Sequence, residues 1–269
     1  MRLLPTIILL TLPAALPGAD ALPSAGEIIG KAVARAKWQQ EQGREAAFRY
    51  RYRNRRTKLD SSGKPASTEE RLYRVYPLDG EPYYELIEID GKPPDAEERE
   101  KERKRQAEFR EKRAQAARGE KSDDDRIAFD QDLIERYTST IEGITGINGR
   151  RTYVLRFQPR EGDLPVRKRI DHALNNAAGR LWIDAEEFGV ARVEFDLLRP
   201  VKFWGGLIGA IGGMDGRLEF TRLEGGVWHP MHMEVQMEGR VLWNSLDQKI
   251  VMDWLDFRPA AEASESGGR

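Results

Sequence analysis

The sequence predicts a mainly β, α+β protein built on one strongly curved antiparallel sheet. Two observations predict it. From Ala46 onward, runs of alternating apolar and polar residues recur between Gly-, Asn- and Pro-rich turns, giving roughly nine or ten strands. The connections between most of them are short, and strands joined by short turns pair antiparallel.

The chain opens, after its first residues, on a helix. Ser24 is placed to cap it, and Ile28, Ile29, Ala32, Val33 and Ala36 recur at three- and four-residue spacing up to Gln42, so one apolar face should pack on the sheet. At Ala46 the period changes to two: Phe48, Tyr50 and Tyr52 alternate with Arg49, Arg51 and Arg53, a half-buried strand. Residues 61–65, Ser-Ser-Gly-Lys-Pro, mark a turn, and Leu72–Tyr76 and Tyr83–Ile89 read as the next strands. Phe129–Tyr137 and Leu164–Leu174 read as short helices. Thr138–Ile144 and Arg151–Gln158 are strands joined by Gly146-Ile147-Asn148-Gly149, a hairpin-type turn. Further strands follow at Arg180–Ile183, Val190–Leu198, Arg217–Leu223, Trp228–Val241 and Lys249–Phe257. Residues 260–269, rich in Ala, Ser, Glu and Gly, read as a disordered tail.

One segment differs in kind. Residues 94–121 hold 10 Lys/Arg and 8 Asp/Glu, with Phe109 as the one large apolar side chain. Glu97–Lys101, Glu100–Lys104 and Glu108–Lys112 are favourable pairs four residues apart. This is a charged surface helix inserted between strands, either a solvated insertion or a partner-binding arm.

Composition limits the chemistry. With 0 Cys the chain has no disulfide, no thiol nucleophile and no thiolate metal site. A net charge of −1 gives no global attraction to nucleic acid. Of the 3 His, His229 and His232 flank Pro230 on opposite faces of a strand, and His172 lies on a short helix beside Asp171, so no metal or cofactor is expected. No catalytic constellation stands out, and the protein reads as a non-enzyme. Arg49, Arg51, Arg53, Arg55 and Arg56 form a basic strip around Tyr50 and Tyr52. On a strand the arginines and tyrosines take opposite faces, which suits core and solvent rather than nucleic acid.

Residues 1–21 read as a cleavable secretory signal: Arg2, the apolar stretch Leu3–Leu16, and Ala19-Asp20-Ala21 as the cleavage pattern. Periplasmic residence and one domain over residues 22–259 are the matching expectations.

Two features point to an apolar ligand. Residues 203–214 are apolar yet rich in glycine, poor material for helix or strand. Phe203, Trp204, Leu207, Ile208 and Ile211 would form either a mobile lid over an apolar cavity or a loop tucked into the core. Beside them Met231, Met233, Val235 and Met237 share one strand face, where methionine adapts to irregular ligands or simply fills core.

Gly179-Arg180-Leu181-Trp182-Ile183-Asp184, followed by Val190-Ala191-Arg192-Val193-Glu194, resembles a strand pair common in LolA-like periplasmic lipoprotein carriers, the superfamily that includes LolB and RseB. Gly226-Val227-Trp228-His229-Pro230 is similar to the strand start that often follows. The resemblance implies a half-open barrel whose concave face, covered by helices, holds acyl chains. Its implied partners are a lipid or an acylated lipoprotein, with transient membrane contact and a monomeric state. The charged insertion departs from the carriers and suggests the alternative of an envelope-stress sensor or assembly adaptor with a protein partner. No functional residue of the carriers aligns here.

Overall fold

The computed structural model describes residues 22–118, 129–203, 209–241 and 244–260. Among these, helix α1 (Ala25–Glu41) is followed by strands β1 (Phe48–Leu59), β2 (Pro65–Leu78) and β3 (Glu81–Ile89), then helix α2 (Ala96–Ala117). The single turn α3 (Gln131–Ile134) precedes β4 (Tyr137–Ile147) and β5 (Arg150–Pro159). A second single turn, α4 (Asp171–Leu174), leads to β6 (Ala177–Asp184), β7 (Val190–Leu197), β8 (Val201–Phe203), β9 (Gly209–Arg222), β10 (Trp228–Val241), β11 (Asn244–Ser245) and β12 (Gln248–Pro259).

All the strands join one antiparallel sheet in the order β3-β2-β1-β12-β10-β9-β7-β6-β5-β4, with β8 added to β9 and β11 to β10. The path is open, with β3 and β4 as its ends, so the curved sheet is a half-barrel. Two of its hairpins turn on Asp79-Gly80 and Asn148-Gly149, whose φ values of 50°, 80°, 50° and 78° suit the left-handed turn that matches strand twist. Strand β12 lies between β10, close to it in sequence, and β1, at the other end of the described residues.

The Ser24 cap is present. Its hydroxyl accepts from Glu27 N, while the Glu27 carboxylate accepts from Ser24 N at 2.7 Å, so two otherwise orphaned amides are satisfied reciprocally. The apolar stripe that follows does what its spacing predicts. Ile28 and Ala32 are buried against Leu155, Leu181 and Ile183 of β5 and β6, so α1 covers this half of one sheet face. A second cluster joins Phe48, Tyr50, Val75 and Val227, and a third Trp182, Ala191 and Trp228. Gly189 makes the third possible, because a Cβ there would overlap the Trp228 indole.

Three sequence expectations are corrected. The helices at Phe129–Tyr137 and Leu164–Leu174 shrink to one turn each. The glycine-rich run is not loop throughout. Residues from Gly209 extend β9, because they find backbone partners on both sides: Ile211 pairs with Val201 and with Gly239, and Ala210 with Lys202 and Arg240. Pairing on two flanks outweighs the weak strand propensity of glycine. The charged insertion is a helix, capped by Asp95 through Glu98 N, and it docks. Residues at helical spacing face β2 and β3: the Tyr83 hydroxyl donates to Glu102 at 2.5 Å, Gln106 donates to the Tyr76 hydroxyl at 3.1 Å, and Phe109 meets the Tyr83 ring edge-on at 5.0 Å. Arg105 donates to the Tyr84 carbonyl. The contact face is mostly polar, and none of its residues is fully buried.

Candidate functional site

Directly opposed residues of adjacent strands share a face, so the register traces rows across the sheet. One row runs Ile141, Leu155, Leu181, Val193, Leu218, Met233, Met252, Asn54 and Arg71. The next runs Phe195, Gly216, Val235, Ile250, Arg56 and Glu69. A third runs Met214, Met237, Gln248, Lys58 and Ser67. The first row begins beneath α1, which fixes this as the helix-covered, inner face.

Helix α1 covers the rows at β5 and β6. Further along, Met214, Leu218, Met233, Met237, Ile250 and Met252 stay half-buried, and only Val235, 8 % exposed, is closed in. Phe195 lies across Gly216, where a Cβ would stand 2.6 Å from its ring. Beside Met252 the face turns aromatic: Tyr52 packs on Trp254, Tyr84 and Tyr73 at 5.2, 5.3 and 5.7 Å between ring centres. Burial pushes the Tyr52 hydroxyl up to about 12, so it stays a neutral hydrogen-bonding group. The middle of the inner face is therefore apolar, deformable and partly open, a surface that can bind an apolar chain without polar anchors.

The predicted wall is largely assembled. Met233, Val235 and Met237 share this face. Met231 does not continue the series: a register shift between Pro230 and His232 leaves it at a bulge, 36 % exposed. Of the predicted lid, Ile211 lies in β9 and Phe203 pairs through its backbone with Gly209. Trp204, Leu207 and Ile208 lie outside the described residues, as do residues 1–21, expected as a signal, and residues 261–269. Sequence reasoning missed the contributions of Met214, Leu218, Ile250 and Met252. Leu218, Ile250 and Met252 stood in expected strands, but only the register shows that they align.

The remaining polar clusters are structural in form. Asp184, 0 % exposed, receives Arg150 through both oxygens at 2.6 and 2.9 Å and the amides of Glu186 and Glu187. Arg136 pairs with Asp171 at 3.0 Å, both nearly buried. His229 packs between Tyr50 and Phe257, and burial pushes its imidazole down, toward the neutral form. His232 meets Asp253 at 2.8 Å on the other face. The basic strip divides as alternation requires: Arg51 pairs with Asp256 and Arg55 with Glu70 on the outer face. Among the described residues no group of three or more His, Asp or Glu is arranged to hold a metal, and no helix is long and apolar enough to cross a membrane.

No family model matches the chain, and no curated protein matches it. Solved structures do. The chain is similar to a LolA superfamily protein from Nitrosomonas europaea, at 12% identity over 88% of this chain and 94% of that one, with a TM-score of 0.33. It is similar to a putative outer membrane lipoprotein-sorting protein domain from Vibrio parahaemolyticus, at 11% identity over 90% and 95%, TM-score 0.34. It is also similar to the Pseudomonas aeruginosa MucA/MucB complex, at 11% identity over 84% and 99%, TM-score 0.22.

Proposed function

We propose that the protein is a soluble periplasmic carrier or binder of lipid or lipoprotein acyl chains, acting non-covalently and without catalysis in the sorting of outer-membrane lipoproteins. One observation carries the reading: the inner face of β9, β10 and β12 presents aligned Met, Leu and Ile side chains that the fold leaves half-open around a buried Val235. An acyl chain laid across them would gain about 0.8 kcal/mol per buried methylene. Phe203, Trp204, Leu207, Ile208 and Ile211 would close over it, at the end of β8 and β9.

Native mass spectrometry of protein purified from the periplasm tests this, together with displacement of an apolar fluorescent probe. Co-purifying lipid, and probe binding abolished by Met233→Asp in a folded protein, are the expected results. Protein that carries no lipid and binds no probe sinks the proposal. A second reading, an envelope-stress sensor or assembly adaptor, has one observation in its favour: α2 docks by a mostly polar face and turns Arg99, Arg103, Arg110 and Lys112 outward. Deleting α2 would cost an adaptor its protein partner and leave a carrier its ligand.

A further inference from the structure

We infer that the amphiphile bound on the inner face has an anionic head, and that Arg56 and Lys58 hold it. This rests on the reading of that face as an acyl-chain site and adds the ligand's charge.

The rows traced above change character toward the same edge, the first two between β12 and β1 and the third already at Gln248 of β12. On β7, β9 and β10 they are apolar, and on β12 Met252 and Ile250 continue the first two; on reaching β1 and β2 the rows become Asn54 and Arg71, Arg56 and Glu69, Lys58 and Ser67. Arg56 and Lys58 have the same parity along β1 as Tyr50 and Tyr52, with no register shift between Arg51 and Lys58, so they project from the inner face. Arg51, Arg53 and Arg55, by contrast, face outward into ion pairs.

At this rim lies a cleft of about 390 Å³ lined by Arg56, Lys58, Ser67, Thr68, Glu69 and Asp90. Of its two carboxylates, Glu69 pairs with Arg71 at 2.6 Å, and Asp90 accepts from the amide of Glu70 at 2.8 Å and keeps its charge. Arg56 and Lys58 form no ion pair among the described residues. The cleft thus offers two uncommitted cations and a hydroxyl at the end of an apolar track. From Phe195 to Arg56 the track crosses four strand spacings of ~4.8 Å, about 19 Å in all. A phosphate or carboxylate head at Arg56 and Lys58 would let its chain lie over Ile250, Val235 and Phe195. A guanidinium suits such a head because its planar donors engage two oxygens at once.

The test compares monomeric short-chain phosphatidylglycerol, phosphatidylcholine and diacylglycerol carrying identical chains, with inorganic phosphate as a separate arm. Full-length mature chain and the double variant Arg56→Gln, Lys58→Gln are titrated calorimetrically at low and high salt. Both residues are exposed, and circular dichroism checks that the variant folds. We expect the wild type to bind the anionic lipid about tenfold tighter than the neutral ones, equivalent to ~1.4 kcal/mol. Salt should shrink this preference, and the variant should lose it while binding diacylglycerol as before. Equal wild-type affinities for all three lipids, or a preference that survives in the variant, overturn the inference and leave the acyl-chain site standing. Failure of every lipid to bind overturns both. Inorganic phosphate binding as tightly as the anionic lipid, unchanged by Met233→Asp, makes the rim a free-anion site and also overturns the inference.

Discussion

Replacing Asp184 with Asn should destabilise the fold by about 2–3 kcal/mol at neutral pH. The carboxylate is fully buried at the end of β6, where it takes two hydrogen bonds from Arg150 and two from backbone amides. Removing one member of a buried pair costs ~3–5 kcal/mol. The lower figure applies here because the Arg150 side chain is 30% exposed and keeps Glu186 at 3.2 Å. Burial alone would raise the carboxyl's pKa. The Arg150 hydrogen bonds and the amides of Glu187 and Glu186 outweigh burial and hold the carboxyl below its usual range. A depressed carboxyl contributes stability that is complete above the unfolded value, about 3.9, and is lost as pH falls through the folded one. Urea denaturation of Asp184→Asn and wild type, at pH 7 and at steps down to pH 2, measures both parts. The gap should be full at pH 7 and close below pH ~4. Equal stability at pH 7, or a gap that does not narrow in acid, refutes the reasoning.

Gly189→Ala should cost about 1–3 kcal/mol in the same denaturation assay, because the new methyl would displace the Trp228 indole from the third core cluster; Trp228 emission should shift with it. Phe109→Ala removes the ring contact with Tyr83 and should speed amide exchange across residues 96–117 by roughly threefold to tenfold, with the global unfolding midpoint unchanged. His229, 5 % exposed, has its pKa lowered by burial despite a hydrogen bond with the Pro230 carbonyl. Its neutral form is what folds, so wild-type stability should fall as pH drops from ~6.5 through the lower folded value; in His229→Phe that part of the slope should vanish.

Where alternation or helical spacing of apolar residues was clear, the elements were legible. Strand β10 spans Trp228–Val241 as the pattern predicts, and α1 begins at the Ser24 cap. What escaped was decided by partners distant in sequence. Gly209–Ile211 has poor strand propensity but lies between β8 and β10, and the ladder on each side decides its state. The bulge at Met231 inserts one residue into the alternation, and the adjacent Pro230, which cannot donate to the ladder, is the residue type that marks it. Helix α2 was readable as a helix but not as a docked one, since an apolar stripe is what periodicity detects and its contact face is Glu102, Gln106 and Arg113 around a lone Phe109. The cationic rim did leave a signal. Within the basic strip, Arg56 breaks step with Arg49, Arg51, Arg53 and Arg55 and falls on the tyrosine side.

The place of β12 in the sheet has a consequence in time. Strands β1–β3 and β4–β12 can each pair with neighbours close in sequence, but β12, which follows the others in the described residues, is also hydrogen-bonded to β1 on its far flank. A chain emerging from its N-terminus would therefore hold two unjoined half-sheets until its final strand arrived, a long-range closure that slows folding. Because Ile250 and Met252 lie on that strand, the apolar surface would also come into being only at that last step, leaving no complete site on an unfinished chain.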